Sequence, residues 1–440
     1  MKKIILTSIL IISLIRIALC QSNFDSEKLD KYFEVLEQHN KFMGSVAVSK
    51  NGEIIYSKTI GFANIENNLK ANENSKYKIG SITKTFTSVL ILKAVEDKKL
   101  NLNQTINTWF PSIENANKIT IENLLNHRSG INDFTKTKDY FTWNTQTKTE
   151  KELIEIITKG GSNFIPNSKA EYSNSNFILL TFILEKTYRK SYSDLLLELI
   201  VKPIGLTNTY VFKKMNLSQN ECSSYKFNEK WELESETHFS IPLGAGAIIS
   251  TPKDLTKFAD ALFNGKLLSK ESISLMKNMK DGYGFGLRTF PFYENEGIGH
   301  AGTIDGFNST LSHFANEKIS FAIVSNGTSI NINLISIAVL SVIYNKPFDI
   351  PSFSTYKITS EDLEKYLGTY TSNQIPLKIT ITKDAYNLIA QATGQSPFPL
   401  EATQKDIFKF DQAGIILEFN TTLKSMILKQ GGGEFNFMKE

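Results

Sequence analysis

Residues 80–97, GSITKTFTSVLILKAVED, begin with a glycine, place Ser81 and Lys84 three residues apart and continue as a long apolar run. We predict a helix over residues 81–97, on which this spacing puts the two side chains on one face, one turn apart. Ser81 would lie at the positive end of the helix dipole, where developing negative charge is stabilised. A partly desolvated lysine beside it can be neutral and accept a proton. The stretch therefore predicts a serine nucleophile with a lysine base.

The spacing of Ser81 and Lys84 is weak evidence by itself. The same spacing recurs at Ser75/Lys78, Ser223/Lys226, Ser250/Lys253, Ser274/Lys277 and Ser354/Lys357. Only the pair at 81 and 84 has both a glycine before it and a long apolar run after it. This context singles out the first pair.

The sequence gives little support for a metal centre, a cofactor, an α/β-hydrolase fold or nucleic-acid binding. No two of the histidines are four residues apart, and no pair of cysteines has metal-ligand spacing, so we expect neither a metal nor a cofactor. A Gly-x-Ser-x-Gly elbow is absent, which argues against the α/β-hydrolase fold. Lys and Arg number 49 against 45 Asp and Glu, with no basic block, so nucleic acid is not expected as a partner.

The patterning around this stretch predicts an α+β domain over residues 25–346. Helical spacing covers residues 26–39, and alternation around the hairpin signal Asn51-Gly52 predicts strands between 44 and 64. Strand character returns at 297–311 and 319–326, before a buried helix over 332–344. A mainly helical region fills the middle. We therefore expect an antiparallel sheet built from both ends of the domain, flanked by helices, with a mainly helical subdomain.

The tail predicts a separate β module. Residues 347–358 contain two prolines and resemble a linker. Residues 359–440 begin with a helical turn and continue as short strands at 378–382, 386–391, 407–410, 415–420 and 424–429. This spacing is typical of a small antiparallel sheet or barrel, and the segment contains no clustered acid, base or thiol. An accessory C-terminal β domain is expected.

The first twenty residues predict a signal peptide. Lys2 and Lys3 precede a short apolar run, and the small residues near position 20 favour cleavage before Gln21. The protein would then be exported, periplasmic or secreted, without a transmembrane span in its mature form. A lipid anchor on Cys20 is the alternative, disfavoured by the bulky Leu19. Only Cys222 remains after cleavage, so no internal disulfide is expected.

Two further motifs contain polar residues suited to a cleft. Tyr172-Ser173-Asn174 lies on a polar loop, residues 167–176, before an apolar helix over 177–184, and His300-Ala301-Gly302-Thr303 lies on a predicted strand. With Gly80-Ser81-x-x-Lys84, in this order, they resemble the three motifs of the serine β-lactamase and penicillin-binding-protein superfamily. The similarity is greatest to class C β-lactamases and the related D-Ala-D-Ala carboxypeptidases and esterases. Segments 124–131, 203–209, 244–246 and 250–255 are similar to that branch too.

The resemblance implies a role for each motif residue. Ser81 would attack a carbonyl, and Lys84 and Tyr172 would share proton transfer, the pKa of the phenol being lowered by nearby cationic charge. Asn174 would hold the substrate amide. The backbone N–H groups of Ser81 and Thr303 would form the oxyanion hole. His127, in the Leu-rich segment 124–131, is expected to shape a turn.

The strand motif departs from the class C pattern. Those enzymes have Lys-Thr-Gly where this chain has His300-Ala301-Gly302, and the small residues would let a substrate approach the strand closely. An imidazole near its ordinary pKa would attract a substrate carboxylate only when protonated. His300 is therefore expected to tune substrate binding as the pH falls toward 6; the alternative is that it only packs beside the nucleophile helix.

The sequence thus predicts an exported serine hydrolase that acts through an acyl-enzyme on an amide or ester bond. A D-Ala-D-Ala-type peptide derived from peptidoglycan, an ester or a β-lactam are all open as substrates. The alternative is a non-catalytic, penicillin-binding-like sensor of the cell wall. The oligomeric state is left open.

Overall fold

The computed structural model describes residues 24–228, 230–353, 356, 358–384 and 387–440. The predicted signal peptide, residues 1–20, lies outside the described residues. The α-helices in this part of the chain are α1 (Ser26–Gln38), α2 (Thr83–Glu96), α3 (Ile121–Leu125), α4 (Tyr140–Trp143), α5 (Glu150–Gly160), α6 (Asn174–Tyr188), α7 (Tyr192–Leu196), α8 (Lys202–Ile204), α9 (Leu243–Gly246), α10 (Pro252–Phe263), α11 (Lys270–Lys277), α12 (Ile332–Ile343) and α13 (Ser360–Leu363).

The strands are β1 (Phe42–Lys50), β2 (Glu53–Ile60), β3 (Phe62–Asn64), β4 (Leu69–Lys70), β5 (Tyr77–Lys78), β6 (Tyr210–Val211), β7 (Tyr225–Asn228), β8 (Lys230–Leu233), β9 (Ile248–Ser250), β10 (Arg288–Phe292), β11 (Asn295–Ile304), β12 (Phe307–Phe314), β13 (Ile319–Thr328), β14 (Gly368–Thr371), β15 (Lys378–Lys383), β16 (Leu388–Ala392), β17 (Phe398–Gln404), β18 (Ile407–Phe410), β19 (Ile415–Asn420), β20 (Ser425–Gln430) and β21 (Gly433–Lys439).

A six-stranded antiparallel sheet forms the centre of the first part of the chain. Its strand order is β10-β11-β12-β13-β1-β2, so the strands from residues 42–60 pair with those from 288–328. The prediction that both ends of this part share one sheet is confirmed. The stretch 297–311, predicted as one strand, is two, because the chain reverses at Asp305 and Gly306. Gly306 is required there, since a Cβ would lie 2.7 Å from the carbonyl oxygen of Tyr225.

Helices cover both faces of this sheet. On one face, α1 and α12 pack on β1, β2 and β13 through a cluster that includes Phe33, Phe42 and Phe321. On the other face, α10 is held by a buried carboxylate. Asp260 accepts hydrogen bonds from Ser49 Oγ and Ser320 Oγ, each at 2.6 Å. Because a buried charge is costly unless its hydrogen bonds are satisfied, this pair of contacts fixes α10 against β1 and β13.

The helix predicted over residues 81–97 is present and deeply buried. It is a 3-10 turn, Gly80–Ile82, that continues as α2, and eleven of the fourteen residues of α2 are buried. Its apolar residues lie all around the helix, which is the pattern of a helix enclosed by protein. Phe86 stacks on Phe258 of α10 with ring centroids 3.6 Å apart. This enclosure carries Lys84, one turn after Ser81, into the interior.

The tail forms a closed eight-stranded antiparallel barrel. The prediction of a barrel-like C-terminal domain is confirmed. Strands β14 to β21 pair in chain order, and β21 closes on β14 through Thr371 and Met438. The sequence analysis missed β14, β17 and β21. Each contains a residue that disfavours a strand or interrupts its pattern, Gly368, Pro399 and Gly433 respectively. Closure leaves no free sheet edge.

The barrel is attached to the rest of the chain near Asp411. Its carboxylate lies 3.6 Å from Lys41 Nζ, and its backbone carbonyl accepts a hydrogen bond from the N–H of Asn331 at 3.2 Å. Within the described residues, no helix is long and apolar enough to cross a membrane. The boundaries 25–346, 347–358 and 359–440 stay predictions.

Candidate active site

Two glycines bring strand β11 against the turn that holds Ser81. A Cβ on Gly80 would lie 2.9 Å from the backbone nitrogen of Thr303, and a Cβ on Gly302 would lie 2.9 Å from the backbone nitrogen of Ser81. Gly80 also has a positive φ of 50°, a conformation that glycine adopts without strain. The backbone nitrogens of Ser81 and Thr303 are thereby neighbours beside the Ser81 side chain.

Lys84 is fully buried and has three hydrogen-bond partners. Its Nζ lies 3.0 Å from Ser81 Oγ, 2.7 Å from Asn174 Oδ1 and 2.7 Å from the carbonyl oxygen of Ala245. A neutral amine has two N–H donors and one lone pair, which fits two acceptors and one hydroxyl. Burial lowers the pKa of Lys84 to about 7, against an opposing effect of the Asp133 charge. The amine can therefore lose its proton near neutral pH.

Tyr172 is a second hydrogen-bond partner of Ser81. Its hydroxyl lies 2.8 Å from Ser81 Oγ. The sequence analysis expected a lowered pKa for this phenol, and that expectation is wrong. Burial raises the pKa of Tyr172 above its ordinary value, outweighing the lowering effects of its hydrogen bond with Ser81 and of the Arg288 charge. Tyr172 is a neutral phenol at neutral pH, able to donate and pass on a proton but not to act as a phenolate base.

Asn174 is the first residue of α6. The sequence analysis had placed it on the preceding loop, so that prediction is wrong. Its Oδ1 accepts from Lys84, while its Nδ2 donates to Asp133 Oδ2 at 3.1 Å and to Thr135 Oγ1 at 3.1 Å. The sequence analysis missed Asp133. The only local signal for it is an N-cap pattern, in which its carboxylate accepts from the backbone N–H of Thr135.

His300 is buried and its ring bonds within its own strand. Its Nδ1 donates to the carbonyl oxygen of Ala301 at 2.5 Å, and its ring centroid lies 6.2 Å from that of Tyr172. Burial, then the charge of Lys84, lowers the pKa of His300 to about 3. The expectation that it becomes an imidazolium as the pH falls toward 6 is therefore wrong. The alternative, that His300 has only a packing role, agrees with its burial and with its hydrogen bond to Ala301.

His127 and Arg288, to which the sequence analysis gave no part in the site, lie near Tyr172. His127 does shape a turn, with a φ of 59°, but its ring also packs on Tyr172 with centroids 4.5 Å apart. Its Nδ1 accepts from the N–H of Ser173 at 3.2 Å. Arg288 is exposed at the start of β10, with its guanidinium 5.2 Å from the ring centroid of Tyr283. Arg288 belongs to no sequence motif. It lies near Tyr172 because β10 pairs with β11, which places Arg288 opposite Gly299.

A cleft of about 390 Å³, the candidate catalytic cavity, opens on the Ser81 side chain. Asn174 and Thr303 line it, whereas His300 does not. Phe134, Tyr140 and the exposed Phe141 form one wall. Its volume lies within the range of small-molecule sites. Among the described residues, no three acidic, histidine or cysteine side chains are grouped as a metal site requires.

Residues 29–331 match the family model described as Beta-lactamase. The chain belongs to the beta-lactamase family. Its helices and sheet share the fold of the serine β-lactamases and penicillin-binding proteins, and the relatives found support a serine hydrolase.

Several relatives are similar over most of the chain. A penicillin-binding protein of Bacillus subtilis is 24% identical over 444 residues, 92% of this chain and 97% of the relative. The teichoic acid D-alanine hydrolase of Staphylococcus aureus is 27% identical over 249 residues, 55% of this chain and 59% of the relative.

Two solved structures have a fold similar to that of this chain. A D-stereospecific amidohydrolase from Streptomyces has a TM-score of 0.60 at 26% identity, covering 68% of this chain and 94% of that one. A penicillin-binding protein homologue from Pyrococcus abyssi, described as octameric, has a TM-score of 0.66 at 23% identity, covering 94% of this chain and 100% of that one. This last likeness concerns the fold alone, and it extends over the barrel.

Proposed function

We propose that the protein is an exported serine hydrolase that cleaves an amide or ester bond through an acyl-enzyme at Ser81. The observation that carries the proposal is the contact of Ser81 Oγ with the Lys84 amine at 3.0 Å, together with the burial that lowers the pKa of that amine to about 7. A serine becomes a nucleophile when an adjacent base can take its proton.

In the acylation step, Lys84 Nζ accepts the proton of Ser81 Oγ as the oxygen attacks the substrate carbonyl carbon. The carbonyl oxygen becomes an oxyanion, and the backbone N–H groups of Ser81 and Thr303 donate to it. Each such donor contributes roughly 3–4 kcal/mol to transition-state stabilisation where it has been measured. Asn174 keeps the amine in place through the hydrogen bond between its Oδ1 and Nζ.

The leaving group departs on the side of Tyr172. The neutral phenol donates its proton to the departing nitrogen or oxygen and receives the proton that Lys84 took from Ser81. The raised pKa of Tyr172 supports this role as donor. In deacylation a water molecule attacks the ester carbonyl, its proton moves to the same base, and Ser81 Oγ regains a hydrogen.

The environment of Tyr172 supports a leaving group that carries a carboxylate. Arg288 is a fixed positive charge on this side, close enough to affect the pKa of both Tyr172 and His300. The C-terminal D-alanine of a peptide is such a leaving group. We therefore propose a D-Ala-D-Ala-type peptide or the corresponding ester as substrate, with β-lactams as further acylating agents.

The test is covalent labelling of Ser81. Purified protein is incubated with fluorescent penicillin, a D-Ala-D-Ala peptide and a matched D-Ala-D-lactate ester, and the mass of the peptide containing residue 81 is measured. Label or acyl mass on that peptide, with turnover of the peptide or ester, is the expected result. Stable label without any turnover would instead favour the non-catalytic sensor.

Ser88→Ala is the matched control for Ser81→Ala. Ser88 lies on the same helix, and its buried hydroxyl has no hydrogen-bond partner among the described residues, so its removal costs little. Ser81→Ala should lose label and turnover, with its melting temperature close to that of Ser88→Ala. Wild-type turnover in Ser81→Ala would refute the assignment of the nucleophile.

A further inference from the structure

The catalytic cavity adjoins a second, larger cavity. This barrel-side cavity has a volume of about 860 Å³ and is lined by both parts of the chain, for example by Asn308 of β12 and Leu400 of β17. Glu234 and Asp305 line both cavities. They therefore lie between the two cavities, at the passage that a ligand extending from one cavity into the other would use.

The catalytic geometry decides which part of a substrate points into this passage. The leaving group lies beside Tyr172, which protonates it, and the oxyanion lies between Ser81 and Thr303. The acyl substituent must then extend away from Tyr172, into the part of the catalytic cavity beyond Thr303. After Thr303, strand β11 ends at Ile304 and the turn begins at Asp305, so the acyl side leads toward the barrel.

The passage is held in place by a buried ion pair. Lys78 is fully buried and its Nζ lies 2.9 Å from Asp305 Oδ2, while Asp305 Oδ1 accepts from the N–H and the hydroxyl of Thr237 at 2.9 and 2.7 Å. These contacts tie the turn between β11 and β12 to the segment that carries Glu234. A wall fixed in this way is pre-organised to guide a ligand.

The lining of the barrel-side cavity combines apolar surface with charges of both signs. Carboxylates and ammonium groups come from both walls, namely Glu234, Glu401, Asp411, Lys41, Lys226 and Lys409. An alkyl chain would desolvate these charges without replacing their hydrogen bonds, at a considerable cost in free energy. A polyanion would meet the carboxylates. A peptide offers amides, charged groups of either sign and apolar side chains, and so fits this lining.

We propose that the barrel-side cavity is an extended acyl subsite, which takes a peptide-like acyl chain of several residues attached to the carbonyl that Ser81 attacks. The proposal rests on the hydrolase function proposed above and assigns to the barrel a part in choosing the substrate. Since an extended residue spans about 3.3–3.6 Å, a few residues suffice to pass from one cavity into the next.

The test is a substrate series with one scissile bond and a varied acyl length. Peptides ending in D-Ala-D-Ala, and their D-Ala-D-lactate counterparts, are given an N-acetyl group or N-terminal extensions of about two and four residues. We expect kcat/KM of the wild type to rise by about tenfold or more with extension, mostly through KM.

Glu401→Trp and Asn436→Trp form a matched pair for this series. Both residues are exposed on barrel strands, but only Glu401 lines the cavity. Glu401→Trp fills part of the cavity and should abolish the gain from extension while leaving the N-acetyl substrates unchanged. Asn436→Trp should behave as the wild type. The double variant Glu401→Ala/Lys409→Ala removes charge without adding bulk and should reduce the gain.

Each other outcome counts against the proposal. Equal kcat/KM for all lengths in the wild type, or an equal loss at all lengths in Glu401→Trp, would overturn the extended subsite and leave the hydrolase function intact. An enzyme that cleaved no member of the series, the N-acetyl substrates included, would overturn both.

Discussion

Asp133 determines which way the Asn174 amide faces. Asn174 Nδ2 lies 3.1 Å from Asp133 Oδ2 and 3.3 Å from Asp133 Oδ1. An ionised carboxylate only accepts hydrogen bonds, so the amide nitrogen must face Asp133 and the oxygen must face Lys84. The same carboxylate raises the pKa of Lys84 against the larger, lowering effect of burial. One buried acid thus orients Asn174, the hydrogen-bond partner of Lys84, and affects how readily the Lys84 amine loses its proton.

The first prediction is a shift in pH profile for Asp133→Asn. Only neutral Lys84 can accept the serine proton, and its neutral fraction rises with pH, so wild-type kcat/KM should rise through a pKa of about 7. Removing the Asp133 charge lowers that pKa further, which moves the acid limb to lower pH. Activity at the plateau should fall by about tenfold, because the charge-assisted hydrogen bond from Asn174 is replaced by a weaker one to a neutral amide oxygen.

The measurement is kcat/KM against pH for a short ester. Asp139→Asn is the control, since it removes a carboxylate that makes no side-chain contact with Lys84 or Asn174. An acid limb that stayed in place in Asp133→Asn would contradict the role given to this carboxylate.

The second prediction concerns Lys84→Arg. Arginine stays protonated at any working pH, so it cannot take the proton of Ser81, and a fixed charge would be buried beside Asn174 and Ala245. Acylation should slow by orders of magnitude, measured as the rate of covalent labelling. Lys93→Arg, on the same helix, should label at the wild-type rate. Labelling of Lys84→Arg at that rate would mean that Lys84 acts only through its charge.

Ser81, Lys84 and Tyr172 could be predicted from the sequence because each belongs to a local motif. The structure brings Lys84 Nζ and the Tyr172 hydroxyl each within 3.0 Å of Ser81 Oγ. Their electrostatics could not be predicted. The pKa of Tyr172 depends on enclosure by residues such as His127, distant in sequence. Asp133 has no motif of its own, and it acts only because α6 brings Asn174 against it.

Much of the fold followed from periodicity. The helix at 81–97 and the hairpin at Asn51-Gly52 were predicted because local spacing and turn chemistry determine them. The reversal at Asp305-Gly306 was missed, although Asp-Gly between two strands is a turn signal of the same kind as Asn51-Gly52. The missed barrel strands contain Pro or Gly and are stabilised by closure with partners elsewhere in the barrel.

The third prediction is that Gly302→Ala disables the oxyanion hole. A Cβ at this position would overlap the carbonyl oxygen of Ile79 and lie 2.9 Å from the Ser81 nitrogen. The strand must move away, so kcat should fall by about a hundredfold or more, since one misplaced donor costs roughly that much. Gly160→Ala is the control, because its Cβ would meet Asn132 at an ordinary 3.4 Å. Unchanged kcat would contradict the assigned contact.

The fourth prediction concerns a chain that ends at Phe353. Phe348 and Phe353 pack near α1, with ring centroids 6.0 Å from Tyr32 and 5.3 Å from His39 respectively. A chain ending at Phe353 keeps both contacts, so it should fold and hydrolyse N-acetyl substrates as the full chain does. It should lose the preference for extended acyl groups. A chain ending at Asn345 lacks both rings and should melt several degrees lower, as expected for about 2 kcal/mol of lost burial.

For the chain ending at Phe353, the measurements are thermal unfolding and acylation rate. A folded chain of this length that failed to acylate at Ser81 would show that the barrel completes the catalytic site itself.

The last prediction concerns His300. With a pKa of about 3, its ring is neutral throughout the range from about pH 5 to pH 8, so it adds no charge that varies with pH. The ratio of kcat/KM for a carboxylate-bearing substrate to that for an uncharged ester of similar size should therefore stay constant over this range. His300→Asn retains an N–H donor for the carbonyl oxygen of Ala301 and should give the same flat ratio. A ratio that rises as the pH falls toward 6 in the wild type, but not in His300→Asn, would show that the imidazole is protonated in the working enzyme and that it meets the substrate.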